Sequence, residues 1–270
     1  MNAARFIDQS SLRWAHDENC PDHEVAGNGD VDAGRLGSGG YSHRAALPPG
    51  GLCSHHGPDY QSDDFTRPRD SGHGRNGTPP TDEGFFLDFT GDRHGQGVRA
   101  PVYYEYSPKQ YVTYWFFYAF NDAPSSPSTF GDHEGDWERV TVRLNDRNRA
   151  THIAYFQHDG DPCVLRWSSR RVRKRGGHPI VFSAKGTHAS YPRAGRYPLP
   201  GPPEDEASHG RTWPTYRSLQ NARSQPWFNF GGAWGQVGEL KETTGPLGPS
   251  AAKGAVPDDW GVGCGRGPGR

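Results

Sequence analysis

The stretch YVTYWFFYAF, Tyr111–Phe120, is an unbroken run of aromatic and β-branched residues. These residue types favour the pleated, extended backbone. A strand with one wet face alternates apolar and polar side chains, whereas this run is bulky on both faces. It therefore predicts a strand covered on both sides by other layers.

Working outward, short apolar runs bounded by turn residues recur on either side. FFLDF (Phe85–Phe89) and PVYYEY (Pro101–Tyr106) precede it. WERVTVRL (Trp137–Leu144), THIAYFQH (Thr151–His158), CVLRW (Cys163–Trp167) and HPIVFSA (His178–Ala184) follow it. Asn145-Asp146, Asp159-Gly160-Asp161, Gly176-Gly177 and Lys185-Gly186 punctuate them. Strands at this spacing, with no long helical period between them, predict an all-β fold, an antiparallel β-sandwich with long loops. Helix is expected only over Thr215–Arg223, two turns stopped by Pro226.

Of the 270 residues, 37 are glycine and 24 proline. The apolar residues are unevenly spread. Residues 1–84 hold five aromatics and seven Val, Ile or Leu, while residues 85–120 alone hold thirteen aromatics. So sparse a segment buries too little surface to offset its backbone entropy, which predicts an irregular Gly/His/Asp-rich arm over residues 1–84. The sandwich is then expected over residues 85–262, with a flexible tail at 263–270. Thirty basic against 31 acidic residues leave a net charge of -1, so whole-molecule attraction to nucleic acid is not expected. No apolar run is long enough to cross a membrane and no secretory h-region is visible, which leaves a cytoplasmic or non-classically secreted protein as the expectation.

The four cysteines, Cys20, Cys53, Cys163 and Cys264, make no framework by spacing. Cys20 and Cys53 could pair, or join His23, His55 and His56 in a zinc site that fits no standard finger. GNGDVDAG (Gly27–Gly34) offers Asp30 and Asp32 but not the full ligand pattern of a calcium loop.

The chemistry concentrates in FNDAPSSPSTFGDHEGDWE, Phe120–Glu138. Strand alternation places Asp136 and Glu138 on one face with Val140, Val142 and Leu144. Two carboxylates thus begin a stripe that continues as core. Crowded, half-buried carboxylates repel each other and lose hydration, so they call for a cation or donors between them. One divalent cation, Ca²⁺ or Mg²⁺, is the simplest answer, held by Asp122, His133, Asp136 and Glu138. His158, ending the strand FQH, and His188, in GTHAS, reach the same rim if the strands run antiparallel. The alternative is that the acids face solvent or pair with Arg139 and Arg143. RWSSRRVRKR (Arg166–Arg175) holds six basic residues in ten and reads either as a solvated hairpin tip or, through Arg171 and Arg173, as a grip on phosphates. Trp227 and Trp234 either stack on a ligand or pack on the sandwich.

HEGDWE, the preceding YWFFYAFND, FQHDG, HPIVFSAKGTHASYP and the late QPWFNFGGAWGQVG–TTGPLGPS together resemble the vacuolar protein sorting-associated protein 62-like family. The resemblance covers about residues 100–256 and implies a fold rather than an activity. A second resemblance is to necrosis-inducing proteins, secreted cytolysins with a β-sandwich metal site read as Gly-His-Arg-His-Asp-Trp-Glu. His133, Asp136 and Glu138 match that site's His, Asp and Glu, Asp122 falls where its upstream Asp lies, and His158 matches its later histidine. The chain departs from it at Glu134-Gly135, in lacking a visible signal peptide, and in its cysteine pattern.

Two functions follow as expectations. The first is a divalent-metal-binding module that recognises a polar ligand, a glycan or lipid head group, with peripheral membrane contact. The second is a metal-dependent hydrolase of a glycan or phosphoester, with Glu134 or His188 as general base on a metal-bound water.

Overall fold

The structure, a computed structural model, describes residues 1–15, 22–43, 60–64, 84–93, 97–123, 131–158, 162–199, 201–238, 243–252 and 256–264. The amino-terminal portion holds α1 (Ala3–Asp8), β1 (Ser10–Ala15), β2 (His23–Ala26), α2 (Ala33–Gly37), β3 (Ser42–His43), β4 (Tyr60–Gln61) and β5 (Gly84–Phe89). The central strands are β6 (Val102–Ser107), β7 (Tyr111–Asn121), β8 (His133–Leu144), β9 (Ala150–Tyr155) and β10 (Cys163–Arg166). Three short hairpins follow: β11 (Lys174–Arg175) with β12 (His178–Pro179), β13 (Phe182–Ser183) with β14 (Ser190–Tyr191), and β15 (Gly195–Leu199) with β16 (Gly201–Ala207). The last strand is β17 (Leu219–Asn221).

A six-stranded sheet, ordered β10-β9-β8-β7-β6-β17, is antiparallel throughout except where β17 joins β6 in parallel. A three-stranded antiparallel sheet, β2-β1-β5, lies against it. The fold is all-β, as the strand runs predict, and β7 explains why. Its odd-numbered Trp115, Phe117 and Ala119 enter a core with Phe6, Leu12, Trp14, Phe89, Trp137, Trp227 and Trp234. Its even-numbered Phe116, flanked by Tyr114 and Tyr118, enters a second core with Val140, Val142, Ile153 and Leu165. Each large side chain removed from water contributes about 2–3 kcal/mol, and β7 collects that on both faces.

The amino-terminal segment corrects the irregular-arm expectation. Phe6, Ile7, Leu12, Trp14, Val31, Leu36 and Tyr41 are all buried, and β1 pairs with β5 along its whole length. The scarcity of apolar residues misleads because this segment needs no core of its own. It lays its few large side chains on the aromatic face of the central sheet. Asn2 caps α1 by accepting from the Ala4 N–H at 2.9 Å. The Thr215–Arg223 helix is likewise replaced by two 3₁₀ turns, Thr215–Arg217 and Ala222–Ser224, with β17 between them. Ladder bonds from β17 to β6 outweigh a helix too short to hold itself.

Gly263 and Cys264, the described residues of the tail, are held to the sheet. Cys163 of β10 is disulfide-bonded to Cys264. Beside that bond, Val164 and Gly263 exchange two backbone hydrogen bonds of 2.7 and 3.1 Å, and Trp260 packs on Ala154, Phe156 and Val164. Cys20, Cys53, His55 and His56 lie outside the described residues.

Buried phenols make the fold sensitive to alkali. Burial pushes Tyr103 up to about 12 against the opposing effect of the Ala3 N–H it accepts, and burial pushes Tyr155 up as well. The folded state therefore holds these protons more tightly than the unfolded chain, whose tyrosines titrate near 10. This contribution is complete below about pH 10 and is lost as pH rises toward the folded values. We expect tyrosinate absorbance to appear cooperatively with loss of the far-ultraviolet circular dichroism signal above about pH 10. Smooth titration of every tyrosine in a still-folded protein would contradict this.

Candidate functional site

In the β7–β8 ladder, Phe116 stands opposite Glu138 and Tyr118 opposite Asp136. Both carboxylates are buried on the face that continues as Val140 and Val142, as strand alternation predicts. His188 meets them from the loop between β13 and β14. Its Nδ1–H donates to Asp136 Oδ2 at 2.9 Å, and its ring stacks on Tyr118 with centroids 3.8 Å apart and planes 6° from parallel. The loop is tied to the end of β7, where the Asp122 N–H donates to the Gly186 carbonyl at 3.1 Å.

A second histidine–carboxylate pair lies beside the first. His158 Nε2–H donates to Asp205 Oδ2 at 2.9 Å. Asp205, on β16, also accepts from the Thr187 hydroxyl at 2.6 Å and the Tyr191 hydroxyl at 2.6 Å. Thr187 and His188 are consecutive, so one loop reaches both carboxylates. Both histidines hold left-handed backbones, φ 50° at His158 and 58° at His188. Such conformations cost about 1 kcal/mol or more in a residue with a side chain and persist where surrounding contacts fix them.

The electrostatics divide the three acids. Burial pushes Glu138 well above the usual carboxylate range, and the charges of Asp136 and Asp205 push the same way against the milder pull of Arg139. Burial would also raise Asp205, but its bonds from His158, Thr187 and Tyr191 together hold it below its ordinary value. The side chains of Asp205 and Asp136 are 1% and 8% exposed, against 39% and 21% for His158 and His188. The carboxylates are the floor and the imidazoles face solvent.

Other residues singled out by the sequence go elsewhere. His133 turns its Nδ1 to the carbonyls of Glu134 and Gly135, at 3.3 and 2.8 Å. Asp122 is exposed. Among the described residues, no three His, Cys, Asp or Glu side chains converge as a metal-holding group. The set Asp122, His133, Asp136, Glu138 and His158 is therefore not assembled as one: Asp136 and Glu138 stay together and His158 joins Asp205.

Glu134, a candidate general base, is committed to structure. Its Oε2 accepts from the backbone N–H of Phe89 at 2.9 Å and of Gln236 at 3.3 Å. Gly135, with φ +60°, interrupts strict alternation between Glu134 and Asp136. Trp227 and Trp234 are fully buried and do not form a ligand surface. The glycine-rich segment carrying them crosses the first core, where Trp227 meets Tyr103 edge-on at 5.0 Å and Trp234 meets Trp137 edge-on at 5.2 Å. Arg171 and Arg173 are exposed. The residues that sequence reasoning missed are Asp205, Thr187 and Tyr191. The alternating Glu204-Asp205-Glu206 was the available signal, since a strand there turns the middle acid to the opposite face.

Residues 111–203 match the family model described as vacuolar protein sorting-associated protein 62. The putative vacuolar protein sorting-associated protein TDA6 of Saccharomyces cerevisiae is 26% identical over 187 residues, covering 50% of this chain and 40% of that protein. Vacuolar protein sorting-associated protein 62 of the same yeast is 27% identical over 158 residues, 45% of this chain and 34% of that protein. The chain thus spans well under half the length of these curated yeast relatives. A shorter match, 37% identical over 68 residues, covers 24% of this chain and 73% of ribonuclease P protein component 4 of Halobacterium salinarum. No solved structure matches. The 111–203 match takes in β7, β8, both site histidines and Thr187, and with the two yeast relatives it makes this part of the chain similar to the vacuolar protein sorting-associated protein 62 family.

Proposed function

We propose that the protein is a recognition module whose binding site is the carboxylate floor of Asp136, Glu138 and Asp205 beneath His158 and His188. The supporting observation is geometric: three buried carboxylates from β8 and β16 lie near one another, met by two imidazoles, the Thr187 and Tyr191 hydroxyls and the milder pull of Arg139. Such a floor is short of positive charge and favours an entering cation. The donors suit a divalent ion such as Ca²⁺ or Mg²⁺, whose remaining coordination positions would take the oxygens of a glycan or lipid head group. They do not present the ion a ready-made cage, because each aspartate is already bonded to a histidine. Binding therefore requires those two hydrogen bonds to open.

Titration calorimetry of chelator-stripped protein with Ca²⁺, Mg²⁺, Mn²⁺ and Zn²⁺ tests this. We expect saturable one-site binding of at least one ion, lost in Glu138→Gln. Without ion, Glu138→Gln is expected to melt about 2–4 °C higher, since about 1 kcal/mol of buried carboxylate repulsion is removed. Binding of no ion, or undiminished binding by the variant, would sink the proposal. A hydrolytic reading retains one favourable observation, the His188–Asp136 pair, which can polarise a water. Turnover of a glycan or phosphoester that Asp136→Asn abolishes would decide for it over simple recognition.

A further inference from the structure

Between Cys163 and Leu199 the chain carries nine lysines and arginines and no aspartate or glutamate, in a molecule of net charge -1. Five of these cations fall within Arg170–Arg175, and all five side chains are exposed. The one exception in that run, Val172, is buried in the second core and anchors the segment to the sheet. The β11–β12 hairpin carries the cations outward. Its tip, Gly176-Gly177, has φ +56° and +85°, the two positive dihedrals that a tight hairpin turn requires. Among the described residues, none of the five cations forms an ion pair with a carboxylate.

Aromatic side chains border this charge. Tyr216 is 49% exposed, its ring stacks on His178 at 4.4 Å, and the Arg217 guanidinium lies 5.7 Å from it. Trp167 is half-buried beneath the Lys174 ammonium, which lies 4.7 Å from its ring and donates to its carbonyl.

We propose that this hairpin is a docking surface for an anionic phospholipid bilayer. Clustered basic side chains are attracted to phosphate-bearing lipid by about 1 kcal/mol each, and tyrosine and tryptophan favour the head-group layer that such a cluster would press against. A single-stranded nucleic acid would need open ring faces on which bases stack. Here His178 covers one face of Tyr216, and Lys174 lies over Trp167. The patch therefore offers dense charge with few open ring faces. Since the molecule as a whole is nearly neutral, the attraction is confined to roughly the 8 Å screening distance of physiological salt, which suits a surface in direct contact with the hairpin. This inference does not rest on the carboxylate site.

Vesicle co-sedimentation tests it, using phosphatidylcholine alone and phosphatidylcholine mixed with phosphatidylserine. The full chain is expected to bind only the mixed vesicles, and less as salt rises. The triple variant R171Q/R173Q/R175Q should bind about 100-fold more weakly, three contacts at about 1 kcal/mol each. The charge-matched K109Q/R147Q/R149Q, changed at turns elsewhere, should bind like the parent, and thermal melts of both confirm folding. Equal binding to both vesicle types would overturn the proposal. So would undiminished binding by the hairpin variant, equal weakening of the control, or binding to a single-stranded RNA oligonucleotide but not to vesicles.

Discussion

Gly135→Ala is expected to destroy the packing of the Trp234 segment on β8 and with it most of the protein's stability. A Cβ at this position would lie 1.7 Å from the Trp234 carbonyl oxygen, in a backbone held at φ +60°. The dihedral alone would cost about 1–2 kcal/mol. The collision is the larger effect, because a backbone atom cannot swing aside as a side-chain tip can. Moving Trp234 would open the first core, where that indole meets Phe117, Trp137 and Trp227. Losses above about 4 kcal/mol follow from disruption of this kind. Gly176→Ala supplies the comparison. Its φ is also positive, +56°, but nothing lies within 4 Å of the added Cβ, so it should cost only about 1–2 kcal/mol. Thermal melts and near-ultraviolet circular dichroism of the two variants separate collision from dihedral strain. Equal, small losses in both would show that the Trp234 segment does not approach β8 as described.

The second large effect is expected from Cys264→Ser. The disulfide to Cys163 closes a loop with a sequence separation of 101 residues. On the chain-entropy account, releasing a loop of that length costs about 4–5 kcal/mol. For a domain of this size that is a fall in Tm of about 10–20 °C, measurable by melting the parent with and without reductant beside the variant. Reductant should lower the parent's Tm, and the gap between the parent and Cys264→Ser should close once both are reduced. A parent insensitive to reductant would mean that the two cysteines are not joined in the folded protein.

The central sheet was legible because its residues say the same thing at every scale. Tyr111–Phe120 is β-prone, bulky on both faces and bounded by turns, and β7 occupies Tyr111–Asn121 between two cores. The stripe of Asp136 and Glu138 was legible for a related reason, since alternation along a strand is local. Asp205 was not, because its role depends on how β16 folds back beside β8, which nothing near it in sequence specifies. Glu134, expected as a general base, is held instead by the Phe89 and Gln236 N–H groups, next to Gly135, whose positive φ serves a contact with Trp234 almost a hundred positions away. The amino-terminal segment, read as an irregular arm over residues 1–84, misled by its apolar count. Burial depends on what a segment lies against, and Phe6 lies against Phe89, its ring stacked at 4.4 Å, and against Phe117.

The contact between Val164 and Gly263 bears on whether the molecule stays single. β10 is the outermost strand of the six-stranded sheet, and a bare outermost strand offers unpaired N–H and C=O groups to any neighbouring chain. The carboxyl-terminal segment takes up that hydrogen-bonding capacity at Val164, and the adjacent disulfide holds it there. On the far side, three residues of β17 do the same for β6. Each margin of the sheet thus carries a short piece of chain, Gly263 on β10 and the three-residue β17 beside β6, which leaves fewer backbone groups of β10 and β6 open to a neighbouring chain.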